Sequence, residues 1–78
     1  SGVVSHIMKF GFFVELIDYF IEGKVPITSL EGEYKYIEEH MRLSGPRNAP
    51  QFRIGDKVKI KVEKVDVTAR EIIFQFLA

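Results

Sequence analysis

The stretch Lys57 to Val65, KVKIKVEKV, alternates charged and apolar residues almost without a break. Period two puts Val58, Ile60 and Val62 on the dry side of an extended strand and Lys57, Lys59, Lys61 and Glu63 on the wet side. No helix presents such a pattern as one face, so the chain is committed to a sheet whose apolar side must be covered.

Further strands flank it. Gly55-Asp56 marks the turn before it and Asp66 to Ala69 the turn after it. Glu71 to Leu77 then alternates again, with Ile72, Phe74 and Phe76 opposing Ile73, Gln75 and Leu77. At the other end of the chain, Val3 to Met8 is rich in β-branched and apolar residues and leads directly into Phe10 to Leu16. In this second strand Phe12, Val14 and Leu16 point to the core, and Phe13 and Glu15 point away. Phe10 joins Phe13 outside if Gly11 is a bulge that resets the alternation. An exposed aromatic pair asks for a partner.

After a stretch of mixed polarity, Gly23 reads as a turn and KVPITSL, residues 24–30, as a third strand. Pro26 donates no ladder hydrogen bond, so it calls for an edge or an irregularity. Periodicity leaves Glu31 to Met41 open. Tyr34, Ile37 and Met41 suit a short helix, whereas Tyr34, Tyr36 and Glu38 suit an extended segment. Arg42-Leu43 and Phe52-Arg53-Ile54 flank a loop of Gly45, Pro46, Asn48 and Pro50, which predicts a hairpin-like excursion with a mobile tip. The expected fold is all-β: a five-stranded Greek-key barrel of the OB-fold kind, with an extended hairpin-like insertion between strands 3 and 4. A sandwich usually needs more strands.

Composition sets the limits. Seventy-eight residues, 46% of them hydrophobic, suffice for one small core and no second domain. Cysteine is absent, which excludes a disulfide framework and a thiolate zinc site and agrees with a cytoplasmic location. No apolar run approaches the roughly 20 residues of a membrane-spanning helix, so no membrane partner is expected. The opening Ser1 suggests a piece of a longer chain. Net charge is zero but unevenly spread: residues 1–41 carry three Lys/Arg against seven Asp/Glu, and residues 42–78 carry eight against four.

The residues GVVSHIMKFGFFVEL, EGKVPITSL and FRIGDKVKIKVEKVDVTAREIIF together resemble an S1 domain, the RNA-binding OB-fold module, over nearly the whole chain. The link EGEYKYIEEHMRLSGPRNAPQFRIGD is similar to that of the S1 domain near the C-terminus of ribonuclease R-type 3′–5′ exoribonucleases, where it tends to be extended. The resemblance implies Phe10 and Phe13 as base-stacking residues, with Asp66 and Arg70 contacting the nucleotide. Pro26 departs from the family pattern, standing where a histidine is usual.

Each candidate has a plainer reading. Phe10 and Phe13 suit single-stranded RNA because every base offers a π face, though aromatics on a strand also serve as packing. Lys57, Lys59 and Lys61 form a stripe that can track phosphates or simply keep an edge soluble. Arg70 can stack or fork to a phosphate, and Asp66 can contact a nucleotide or cap its turn. Arg42, Arg47 and Arg53 read first as solvated loop residues. Tyr34 and Tyr36 read as packing for the excursion. His6 and His40 lack a second ligand at metal spacing, and Glu38-Glu39 lacks a nucleophile, so neither a metal, a cofactor nor catalysis is expected. The expected partners are single-stranded RNA and the catalytic domain of a parent exoribonuclease, with the isolated domain a monomer. The alternative is a structural or protein-interaction domain.

Overall fold

In the computed structural model, residues 2–30, 32–40, 42–46 and 51–77 are described, His40 for its backbone only. Nine strands and no α-helix occur among them: β1 Gly2–Met8, β2 Gly11–Leu16, β3 Ile21–Pro26, β4 Lys35–Ile37, β5 Arg42–Ser44, β6 Phe52–Arg53, β7 Lys57–Val58, β8 Ile60–Asp66 and β9 Glu71–Phe76. One sheet runs β7-β1-β2-β3-β9-β8. Its two edge strands are a single stretch of chain interrupted only at Lys59. The alternating run therefore joins both edges, and the sheet closes on itself as a five-stranded OB-fold barrel. At the break, the Leu77 amide donates to the Lys59 carbonyl at 2.8 Å.

The core follows the alternation. Val4 and Ile7 of β1, Phe12 and Val14 of β2, Val25, Val58 and Phe74 are buried in the barrel. In β1 the register shifts between Val4 and His6, so Val4 and Ile7 both face inward although they are three residues apart. This bulge lies in β1, not at Gly11. Gly11 instead allows close approach: at φ 146°, a Cβ there would collide with the Val25 carbonyl. Phe10 lies in the β1–β2 turn, one residue outside the strand expected for it.

The excursion is part of the core. Arg42 faces Arg53 and Leu43 faces Phe52 across the expected hairpin, and β4 joins as a third strand, so residues 35–37 are extended and only Glu38–His40 form a 3-10 turn. Leu43 and Phe52 are buried. The Phe52 ring stacks on Phe12 at 4.4 Å and meets Phe76 edge-on at 4.8 Å. Each buried Phe contributes about 1.5–3 kcal/mol by area alone, and each aromatic pair about 0.5–1.5 kcal/mol more. Tyr34 and Tyr36 pack half-buried against the same cluster. Met41, Arg47, Asn48 and Pro50, and with them the tip of the excursion, lie outside the described residues.

The third strand differs from expectation. It spans Ile21–Pro26, not residues 24–30, and Ile27–Ser29 form a 3-10 turn. The β2–β3 turn is residues 17–20, closed by Tyr19 and Phe20 amides donating to the Leu16 carbonyl at 3.4 and 3.0 Å. Gly23 is no turn residue. It is buried in mid-strand, where any Cβ would collide with the Phe74 ring. β3 is internal to the sheet, and Pro26 is tolerated because it is the strand's last residue, opposite Gly11. Val62 pairs with the buried Phe74 yet stays 56% exposed, because that end of the barrel is uncovered and β8 shifts register just beyond it.

Candidate nucleic-acid interface

On the outside of the barrel one row of side chains crosses five strands. The register pairs His6 with Phe13, Phe13 with Lys24, Lys24 with Ile73, and Ile73 with Lys64. Phe13 is half-buried in this row, with the His6 ring edge-on to it at 6.2 Å and 89°. Phe10 stands beside it in the β1–β2 turn, 53% exposed. Its carbonyl accepts the Ile27 amide at 2.7 Å, which ties the turn to the end of β3.

Lys24 links the parts. Its Nζ lies 5.7 Å from the Phe10 ring centroid and 3.7 Å from Glu71 Oε2. Glu71 follows Arg70 and faces Asp66 across the β8–β9 pair. The two aromatics and the Asp66–Arg70 turn are thereby brought to one surface with Lys24 between them. In that turn Asp66 Oδ1 accepts the Ala69 amide at 3.0 Å, so one carboxylate oxygen caps the turn. Arg70 is exposed at the end of this turn, just before β9, on a left-handed backbone with φ 56°.

Glu22 completes the row's acidic side. It accepts the Ser5 hydroxyl at 2.6 Å and sits 3.4 Å from His6 Nδ1. The hydroxyl hydrogen goes to the carboxylate and not to the imidazole, so the trio holds the His6 ring beside Phe13 instead of activating Ser5. Among the described residues no three His, Cys, Asp or Glu side chains converge as metal ligands.

The lysine stripe lies on the seam strand, beyond the Lys64 end of this row. Lys57 pairs with Val3 on β1, Lys61 pairs with Gln75 on β9, and Lys59 occupies the break between them. All three are exposed, but on the seam strand, which β1 separates from β2 on its shorter side. Lys24 and Lys64 were not singled out by sequence reasoning, and His6 was weighed only as a metal ligand. Lys24 faces Phe13 only because the β2–β3 turn falls at residues 17–20, and locating that turn was the one signal that could have found it.

A closed OB-fold barrel with aromatics and cations on one outer face defines a class of small binding modules. The S1 RNA binding domain family matches residues 1–76, and the chain belongs to that family. Within it, the similarity is to ribonuclease R. The Escherichia coli enzyme is 38% identical over 79 residues, covering 100% of this chain and 10% of that protein. The apo form of Mycoplasma genitalium RNase R superposes with a TM-score of 0.89 at 25% identity, over 97% of this chain and 12% of that one. The same enzyme in complex with ribose methylated single-stranded RNA gives a TM-score of 0.88 at 25% identity. This chain thus spans about a tenth of the length of the relatives it matches.

Proposed function

We propose that this domain is a non-catalytic module that holds single-stranded RNA across Phe10 and Phe13 and helps deliver it to the catalytic domain of a cytoplasmic 3′–5′ exoribonuclease. The observation that carries the reading is the Phe10–Lys24–Phe13 arrangement on the outer face of an S1 barrel. Stacked bases contribute about 1–3 kcal/mol each by alanine substitution, and the two rings provide a platform that needs no particular base. The existence of a solved RNase R complex with single-stranded RNA supports the choice of ligand.

Charge adjusts the strength of the interaction. Lys24 is already neutralised by Glu71, and Glu15, Glu22 and Asp66 share the surface with His6, Lys64 and Arg70. Stacking therefore dominates over phosphate neutralisation, and the salt dependence of binding is shallow. Pro26, at the usual histidine position, removes one donor beside Phe10. A weak site of this kind is useful when tethered, because a linked catalytic domain meets the captured strand at high effective concentration. Lys57, Lys59 and Lys61 would extend the path around the seam only for a strand long enough to leave the aromatic face.

The test is a titration of the labelled domain with a single-stranded oligoribonucleotide at low salt, followed by NMR. Phe10, Phe13, Lys24 and Arg70 resonances are expected to shift together. Shifts confined to the lysines of the seam, or none at all, would remove the aromatic face from the account.

A further inference from the structure

At the opposite end of the β2–β3 hairpin from Phe10, about 20 Å away along six-residue strands, the chain exposes a second apolar surface. Phe20 is 86% and Tyr19 71% exposed, and Ile17 and Ile21 flank them. Tyr19 also lines a groove of about 230 Å³ with the apolar Leu16, Ile60, Val62 and Phe74 and the charged Asp18 and Lys61. Phe20 holds its ring outward on a left-handed backbone, φ 53°, which a non-glycine aromatic adopts only at a cost. Nothing in the turn requires phenylalanine there, since the amide that closes it belongs to any residue.

The charges on the hairpin argue against RNA. Residues 10–23 contain Glu15, Asp18 and Glu22 and no Lys, Arg or His, so three carboxylates stand against Lys61, the cation that lines the groove with Asp18. Phosphates are repelled from such a tip, whereas an apolar protein surface edged with lysine or arginine complements it. The relatives that this chain matches are about ten times its length, so a large protein surface accompanies such a domain in them. Aromatic side chains such as these are among the residues that anchor protein interfaces.

We propose that the hairpin tip, Ile17, Tyr19, Phe20 and Ile21 together with Val62, docks on an apolar, basic-rimmed surface of the longer polypeptide that carries this module. The proposal rests on the reading of the chain as one module of an exoribonuclease, and it assigns the RNA face and the docking face to opposite ends of one hairpin. With the tip seated, Phe10 and Phe13 remain free to take the strand, and their orientation relative to the rest of the enzyme is fixed.

Hydrogen exchange tests it by comparing the full polypeptide with the 78-residue domain. Amides of residues 17–21 are expected to exchange at least about tenfold more slowly in the full polypeptide. Phe20→Asn removes the ring but suits the left-handed backbone, so it should leave the isolated domain as stable as before or more so, while abolishing the extra protection. Equal exchange of residues 17–21 in both contexts, or protection that survives Phe20→Asn, overturns the docking face. The RNA reading is scored separately, by oligoribonucleotide-induced shifts at Phe10 and Phe13 of the isolated domain. Phe20→Asn is expected to leave those shifts unchanged, and their loss would place the tip in the RNA face and overturn the proposal.

Discussion

Phe12 and Phe13 are adjacent in sequence and have opposite roles. Phe12 is fully buried and stacked on Phe52, which arrives from the excursion between the third and fourth barrel strands. Phe13 faces outward between His6 and Lys24. The same side chain is thus a structural element on one side of β2 and an available π surface on the other. What separates them is strand alternation and what each face meets: a closed barrel inside, a row of polar and charged neighbours outside. Affinity should therefore depend on Phe13 and stability on Phe12, with little overlap.

The sharpest break in that comparison comes from Phe12→Ala. It removes a ring packed against Phe52 in a core of few residues and should cost about 3–5 kcal/mol in urea unfolding, enough to unfold a domain of this size. A loss near 1 kcal/mol would mean that the excursion does not consolidate the barrel. Lys24→Ala probes the outer face with a smaller effect. Loss of its contact with Phe10 should weaken RNA binding by about 0.5–1 kcal/mol and, since Glu71 already pairs with the charge, leave the salt slope nearly unchanged, measured as affinity at several salt concentrations. The same change at Lys57, on the seam, should do less. If Lys57→Ala costs more, RNA follows the seam and not the aromatics.

The smallest effect lies on the core side and concerns pH. Burial raises the Tyr34 phenol above its ordinary 10.0. The unfolded chain then ionises first, so the stability linked to this group is whole below about pH 10 and is lost as pH rises through the folded-state value. Tyr34→Phe keeps the ring that packs against Phe52 and should flatten the alkaline decline in chemical unfolding. An unchanged decline would shift the alkaline sensitivity to other groups.

Much of this division is legible in the sequence. The alternation of Lys57 to Lys61 and of Phe12 to Leu16 indicates which residues face inward, though it fails at Val62, where β8 shifts register, and the mirrored pieces Arg42-Leu43 and Phe52-Arg53 locate the hairpin. The β2–β3 turn is not legible, because Ile17-Asp18-Tyr19-Phe20 contains none of the glycines or prolines that mark turns. Gly23 misleads for a related reason. A glycine required for positive φ and one required for lack of a Cβ look alike in a sequence, and here the Phe74 ring decides between them. Lys24 escapes notice in consequence, since its position opposite Phe13 depends on that turn. The break at Lys59, which lets one strand close the barrel, leaves no mark on the alternation at all.

The measurement that tests the division most directly is Phe13→Ala, with RNA affinity and unfolding free energy taken from the same preparation. The expected result is binding weakened by about 1–3 kcal/mol, the contribution of one stacked base, with stability changed by less than about 1 kcal/mol. A domain that unfolds, or one that binds RNA as before, would contradict it.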